Sequence, residues 1–144
     1  MTKNKNIKSE FTENGFIIPC PDDPFEMKSG PFYVAQGNDG ATVVSIRVGR
    51  DQCNKNLVAH GGLLMTLADL AVCHEAVQGT EYTNPLTISL TANFLMPAKE
   101  GTLLRAFPKL NHRTKRMGFL EATILADDEC VFTCTSIIRV MMGN

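Results

Sequence analysis

The chain has 144 residues, a length suited to one domain, and its 44 % hydrophobic and 20 % charged residues are ordinary for a globular protein. A formal net charge of −1 argues against a broad nucleic-acid-binding surface. No apolar run approaches the ~20 residues that span a bilayer, and the opening MTKNKNIKSEF lacks the apolar stretch of a secretory leader, so a cytoplasmic protein is expected.

Residues 1–14 are polar and expected to fray. Residues 19–31 carry Pro19, Pro21, Pro24 and Pro31 and read as a looping lead-in, so residues 1–31 form an extension and residues 32–142 the domain proper. From Phe32 onward the pattern is mostly strand. PFYVAQ and ATVVSIRV flank Gly37 to Gly40, a hairpin signal, and Thr42, Val44, Ile46 and Val48 share a face. The segment from about His60 to Val77 breaks this rhythm. Leu63, Leu64, Leu67, Leu70, Ala71 and Val77 recur at helical spacing, while Met65, Ala68 and Val72 fill much of the remaining circumference. A helix apolar nearly all round is a buried helix.

Strand alternation returns after Gly79. Leu86, Ile88, Leu90, Ala92, Phe94 and Met96 are predicted on one face, and Thr87, Ser89, Thr91 and Asn93 on the other. Further strands cover about 102–110, 119–126 and 130–140, the last two joined by a turn at Asp127–Glu129. The order β-β-α-β-β-β-β asks one antiparallel sheet to curl around one long helix, an α+β architecture. The five cysteines, Cys20, Cys53, Cys73, Cys130 and Cys134, include no C-x-x-C pair. They read as reduced thiols packed as small hydrophobes, with Cys130 and Cys134 on one strand face. No metal and no cofactor are implied.

The chemistry concentrates in CNKNLVAHGGLLMTLADLA, residues 53–71. Its single carboxylate, Asp69, sits among Leu67, Ala68, Leu70 and Ala71, and burying such a group unpaired is costly. Either Asp69 bonds a neighbouring backbone group in a polar gap, or it serves chemistry. His60-Gly61-Gly62 stands where the helix begins. Free N–H groups and a partial positive charge gather there, and glycine lets a ligand oxygen approach: the physics of an oxyanion hole, or else of a tight turn only. Asp69 lies nine positions beyond His60, about 13 Å along the axis. One chain therefore cannot grip a single carbonyl with both groups. An antiparallel second copy could, so the spacing favours a site shared across a homodimer.

With these residues in view, the pattern N-x5-H-G-G-x6-[DE], here Asn54, His60, Gly61, Gly62 and Asp69, resembles the motif of the PaaI-like hotdog thioesterases. The likeness continues through FLMPAKEGT (94–102), the basic turn and the last two strands, spanning roughly residues 40–140. The resemblance implies the hotdog fold, a long helix wrapped by a curved antiparallel sheet, and hydrolysis of an acyl-CoA thioester by a homo-oligomer, a dimer or a homotetramer of paired dimers. It implies Asp69 as general base or nucleophile and the Gly61 N–H as the polariser of the carbonyl. His60 would set the loop, Asn54 would hold water or orient the carbonyl, and Thr87 would reach the water from the following strand. Three positions depart from the pattern: Leu57 replaces a glycine, Asn56 is a second asparagine, and Thr87 stands where serine is common.

The basic turn, with His112, Arg113, Lys115 and Arg116, is a solvated turn or a partner for the phosphates of coenzyme A. The resemblance adds the strand end at Phe94, Met96, Pro97 and Lys99 as further CoA contacts. His74 reads as structural. Two other functions stay open: a hotdog hydratase or dehydratase acting on enoyl thioesters, and an acyl-CoA-binding module without catalysis. No nucleic-acid or membrane partner is expected.

Overall fold

The computed structural model describes residues 15–37 and 39–143. The polar stretch expected to fray, residues 1–14, and Asn38 of the first hairpin turn lie outside them. Six strands form one antiparallel sheet: β1 (Tyr33–Gln36), β2 (Thr42–Arg47), β3 (Asn84–Phe94), β4 (Leu103–Arg113), β5 (Met117–Ala126) and β6 (Glu129–Met141). Their order across the sheet is β1-β2-β4-β5-β6-β3. A short helix, α1 (Pro24–Ser29), precedes them, and the long helix α2 (Gly61–Val77) sits between β2 and β3 in the chain. The sheet curls around α2, which packs against β2, β3, β4, β5 and β6.

The predicted buried helix is present, one residue shorter at its start because His60 is its N-cap. Leu67, Ala68, Ala71, Val72 and Ala76 of α2 are wholly buried, and Val44, Leu104, Ala106, Ile124, Phe132 and Ile138 close on them from the sheet. Each buried Leu, Ile or Phe side chain contributes about 1.5–3 kcal/mol by leaving water. The far end of α2 is closed with equal care. Its last carbonyls accept from the Gln78 N–H (His74 O, 3.2 Å), the Thr80 N–H (Val77 O, 3.1 Å) and Arg113 Nη2 (Ala76 O, 2.7 Å). A cation there also suits the negative end of the helix dipole.

Two predicted faces are corrected, for one reason. In β3 the pairing with β6 runs Thr87↔Ile138 and then Ser89↔Ile137, so Ile88 is an extra residue. Such a bulge shifts the alternation by one. Thr87 therefore faces inward with Leu90 and Ala92, instead of outward with Ser89 and Thr91. In β6, Leu125↔Cys130 follows Ile124↔Phe132, leaving Val131 as a bulge and setting Cys130 and Cys134 on opposite faces. A third bulge, at Asn111 of β4, turns Arg113 inward beside the buried Gly118, where it reaches α2.

The lead-in is also more regular than expected. Asp23 caps α1, its Oδ1 accepting from the Glu26 N–H at 2.8 Å, and Pro24 opens the helix where a missing N–H costs nothing. Upstream, Ile17 and Val34 exchange backbone hydrogen bonds of 2.9 and 2.7 Å, attaching the lead-in to the outer edge of β1. Pro-rich composition concealed a cap signal that the residues do carry.

The loop before α2 holds Leu57 at φ +59°, the left-handed region that favours glycine. This gives the departure from the family pattern a physical cost of about 1–2 kcal/mol. Leu57→Gly should keep or raise the unfolding free energy in urea, and Leu57→Val should lower it by about 1 kcal/mol; equal losses in both variants would show that the loop carries no such strain.

Candidate active site

Most of α2 is buried, but one stripe is not covered by the sheet. Gly62, Thr66, Asp69 and Cys73, spaced four, three and four apart, share that face. Asp69 sits midway along it, half-buried, with Oδ1 accepting from Thr87 Oγ1 at 2.5 Å. Cys73 Sγ lies 3.3 Å from the same hydroxyl. Because Thr87 gives its proton to Asp69, the thiol is the donor to Thr87. Burial, with a smaller push from Asp69, raises the Cys73 thiol to about 11 against the opposing effect of its hydrogen bond with Thr87, so it keeps its proton near neutrality.

Two cavities meet at Asp69. The larger, about 680 Å³, runs past Cys73, His74, Tyr82 and Thr87; the smaller, about 360 Å³, runs past Met65, Thr66 and Leu90. Asp23 and Glu26 border both. Burial lowers the pKa of His74, opposed by Glu75, which leaves the imidazole neutral at the cavity wall.

The other end of the stripe is the start of α2. His60 Nδ1 accepts from the Gly62 N–H at 2.9 Å, and the Leu63 and Leu64 N–H groups reach His60 O at 2.9 and 3.3 Å. Among the described residues nothing accepts from the Gly61 N–H. A Cβ on Gly61 would lie 3.3 Å from the Phe94 ring, and one on Gly62 would lie 3.0 Å from His60 Nδ1, so both glycines answer to close approaches. A cavity of about 430 Å³ opens here, bordered by His60, Gly62, Thr66, Gln52, Phe25 and Lys28, among others.

Of the residues singled out from sequence, Asp69 and Thr87 are in direct contact, and His60 and Gly61 form the helix start. Asn54 lies in the preceding loop, where its Oδ1 accepts from the Asn56 N–H at 2.9 Å. Phe94 covers Gly61, while Met96, Pro97 and Lys99 lie in an exposed loop pinned to that start by the Ala59 N–H to Ala98 O bond of 2.7 Å. His112, Arg113, Lys115 and Arg116 gather at the opposite end of α2. Arg113 is committed to the helix carbonyl, and His112 leans on Phe119 with ring centroids 6.0 Å apart.

Sequence reasoning missed Cys73, Glu26, Tyr82 and Gln52. Cys73 was legible, since it stands four residues after Asp69 on one helix face. The others come from segments distant in sequence. Gln52 ties the lead-in to the loop before α2, donating to Ser29 O and Gly30 O at 2.9 and 2.8 Å while its Oε1 accepts from the Gly49 N–H. Nor are the cysteines uniformly core residues: all are unpaired and only Cys134 is buried.

The family model of the thioesterase superfamily matches residues 57–131, just over half of the chain, including the helix start, Asp69 and Thr87. The chain belongs to the thioesterase superfamily. Its class of reaction is thioester hydrolysis. A Pseudomonas aeruginosa protein provisionally named as an esterase is 29 % identical over 112 residues, covering 77 % of this chain and 84 % of that protein. Among solved structures, the PaaI protein of the Escherichia coli phenylacetic acid degradation operon superposes with a TM-score of 0.74 at 20 % identity, covering 97 % of this chain and 96 % of its own. A hypothetical thioesterase of Streptococcus pneumoniae, solved with coenzyme A, gives 0.70 at 21 % identity, covering 78 % and 90 %. At these identities the likeness establishes the hotdog fold.

In this superfamily member, the high pKa of Cys73 has a thermodynamic consequence. A thiol whose folded pKa is raised stabilises the fold below its unfolded value near 9 and loses that contribution as pH climbs toward 11. Urea titrations at pH 8.5 and 10.5 should show a fall in stability that is smaller in Cys73→Ala, by about 1–2 kcal/mol; equal falls would remove Cys73 from the account.

Proposed function

We propose that the protein hydrolyses an acyl-CoA thioester to a free acid and CoA, with Asp69 of one subunit and the Gly61 N–H of its partner acting on the same carbonyl. The observation that carries this reading is the Thr87–Asp69 bond at the meeting point of two cavities, on a helix otherwise sealed by the sheet. Thr87 occupies Oδ1 and holds the carboxylate in one orientation. Oδ2 is then the oxygen that takes a proton from an attacking water. Negative charge developing on the carbonyl oxygen meets the Gly61 N–H at the positive end of a helix dipole. As the tetrahedral species collapses, the C–S bond breaks and the leaving thiolate recovers the proton from Asp69.

Gly61 and Asp69 are eight positions apart on one straight helix, about 12 Å. This supports a site assembled from two antiparallel subunits. So does the outer edge of β3, which has no neighbouring strand among the described residues and leaves Leu86 and Ile88 more than half exposed. An open edge of 11 residues is a template for pairing. The same geometry rationalises the CoA contacts. Phe94–Lys99 and the 112–116 turn sit at opposite ends of α2, about 22 Å apart, and an antiparallel second copy would bring the turn of one chain toward the strand end of the other. Lys115, Arg116 and Arg139 border a hollow of about 350 Å³ that shares Tyr82 with the Asp69 cavity, a route for a phosphate-bearing tail. The solved S. pneumoniae protein with coenzyme A supports the same ligand class. Five unpaired thiols suit a reducing compartment, and we place the protein in the cytoplasm.

Asp69→Asn should lower kcat for thiol release from saturated acyl-CoA by at least about 100-fold; a variant as fast as the parent rejects Asp69 as the base. Release of free thiol also separates hydrolysis from hydration of an enoyl thioester and from binding without turnover.

Mixing Asp69→Asn subunits with Gly61→Val subunits tests the sharing. Each variant should be nearly inactive alone. The mixture should recover about one quarter of parental activity, since half the dimers are hybrids with one intact site of two. No recovery after verified subunit exchange would assign both groups to one chain.

A further inference from the structure

The lead-in helix α1 lies across the uncovered stripe of α2. Glu26 faces the Asp69 end and Phe25 with Lys28 the helix start. Glu26 is held there by three features: the Asp23 cap on its N–H at 2.8 Å, the Gly30 N–H to Glu26 O bond of 2.8 Å, and the Gln52 side chain that clamps the residues just after α1. It is half-buried and borders both cavities that open on Asp69.

The character of these cavities is one-sided. Asp23, Glu26 and Asp69 supply three carboxyl groups, and no lysine or arginine is among the described residues that border either space. His74 is the one titratable nitrogen base there, and burial keeps it neutral. The remaining wall is largely apolar, from Met65, Leu70, Val77, Leu86 and Leu90. Glu26 senses the other acids: burial raises its pKa most, Asp23 and more weakly Asp69 raise it further, and a hydrogen bond from Cys20 opposes them.

We propose that Glu26 is a specificity-determining residue that bars acyl groups ending in a carboxylate, so that the substrates are thioesters of uncharged acyl chains. The inference rests on the thioesterase reading above. A carbonyl held at Asp69 sends its acyl chain into one of the two cavities, and Glu26 borders both. An anionic tail would meet a like charge with no lysine or arginine of the same chain bordering either cavity to offset it, while a hydrocarbon or hydroxyl-bearing tail meets the apolar wall. Like charges brought together in a partly desolvated space are strongly disfavoured.

The test uses the full-length protein with the uncharged acyl-CoA that it hydrolyses fastest and the counterpart of equal carbon number bearing a terminal carboxylate, for example hexanoyl-CoA against adipyl-CoA. The readout is the ratio of the two kcat/KM values within one preparation, which cancels any loss of folded enzyme. The parent should favour the uncharged substrate. Glu26→Gln should narrow the ratio by about tenfold, the order expected of one like-charge contact at a half-buried site, and Glu26→Asp should retain most of it. A parent that accepts both substrates equally, or a ratio unmoved by Glu26→Gln, overturns the assignment while leaving thioester hydrolysis intact. A parent that releases thiol from no acyl-CoA overturns the functional reading and this inference with it.

Discussion

A carboxyl group on a helix buried over most of its circumference has to be solvated by something, and the hydroxyl of Thr87 with the two cavities at Asp69 is how this protein does it. Much of the site follows from that requirement. If the sheet closed over the stripe at Gly62, Thr66, Asp69 and Cys73, the acid would be left with the Thr87 hydroxyl and no access to water. The stripe therefore stays clear of the sheet, and cavities open along it beneath α1. Cys73, with its proton held by burial, completes a short line of donors, thiol to hydroxyl to carboxylate, that fixes Asp69 in one orientation.

The groups of interest along α2 are held far apart by the helix itself. At its start the Gly61 N–H is left over after His60 has satisfied its neighbours. Near its middle is the acid, and at its far end the cationic turn. A rigid helix keeps these groups at fixed separations, which is why the proposed reaction site draws on a second antiparallel copy. The outer edge of β3, unpaired among the described residues, is the backbone on which the proposed pairing would build.

The lead-in adds a layer that the helix and sheet do not supply. Tied to β1 through Ile17 and to the loop before α2 through Gln52, it carries Asp23 and Glu26 to the walls of both cavities. The hotdog framework thus supplies the acid and the helix start. The lead-in adds two further acids, Asp23 and Glu26, to the lining of both cavities.

Much of this was readable in the chain itself. Apolar spacing from Leu63 to Val77 specified a buried helix, alternation specified the strands, and the single acid among Leu67, Ala68, Leu70 and Ala71 marked the position where two cavities meet, because a helix that must be buried tolerates an acid only for cause. The sequence alone also determined that Gly61 and Asp69 are too far apart to cooperate within one chain, since helical rise depends on residue count. Tertiary structure alone decided which way Thr87 and Arg113 point. Bulges at Ile88 and Asn111 shift the strand alternation by one residue, and a bulge arises from how two strands register against each other, not from the residue types of either. It alone also brought Glu26 beside Asp69, 43 positions away, because contacts between distant segments depend on how the packed surfaces fit, and no local periodicity records that.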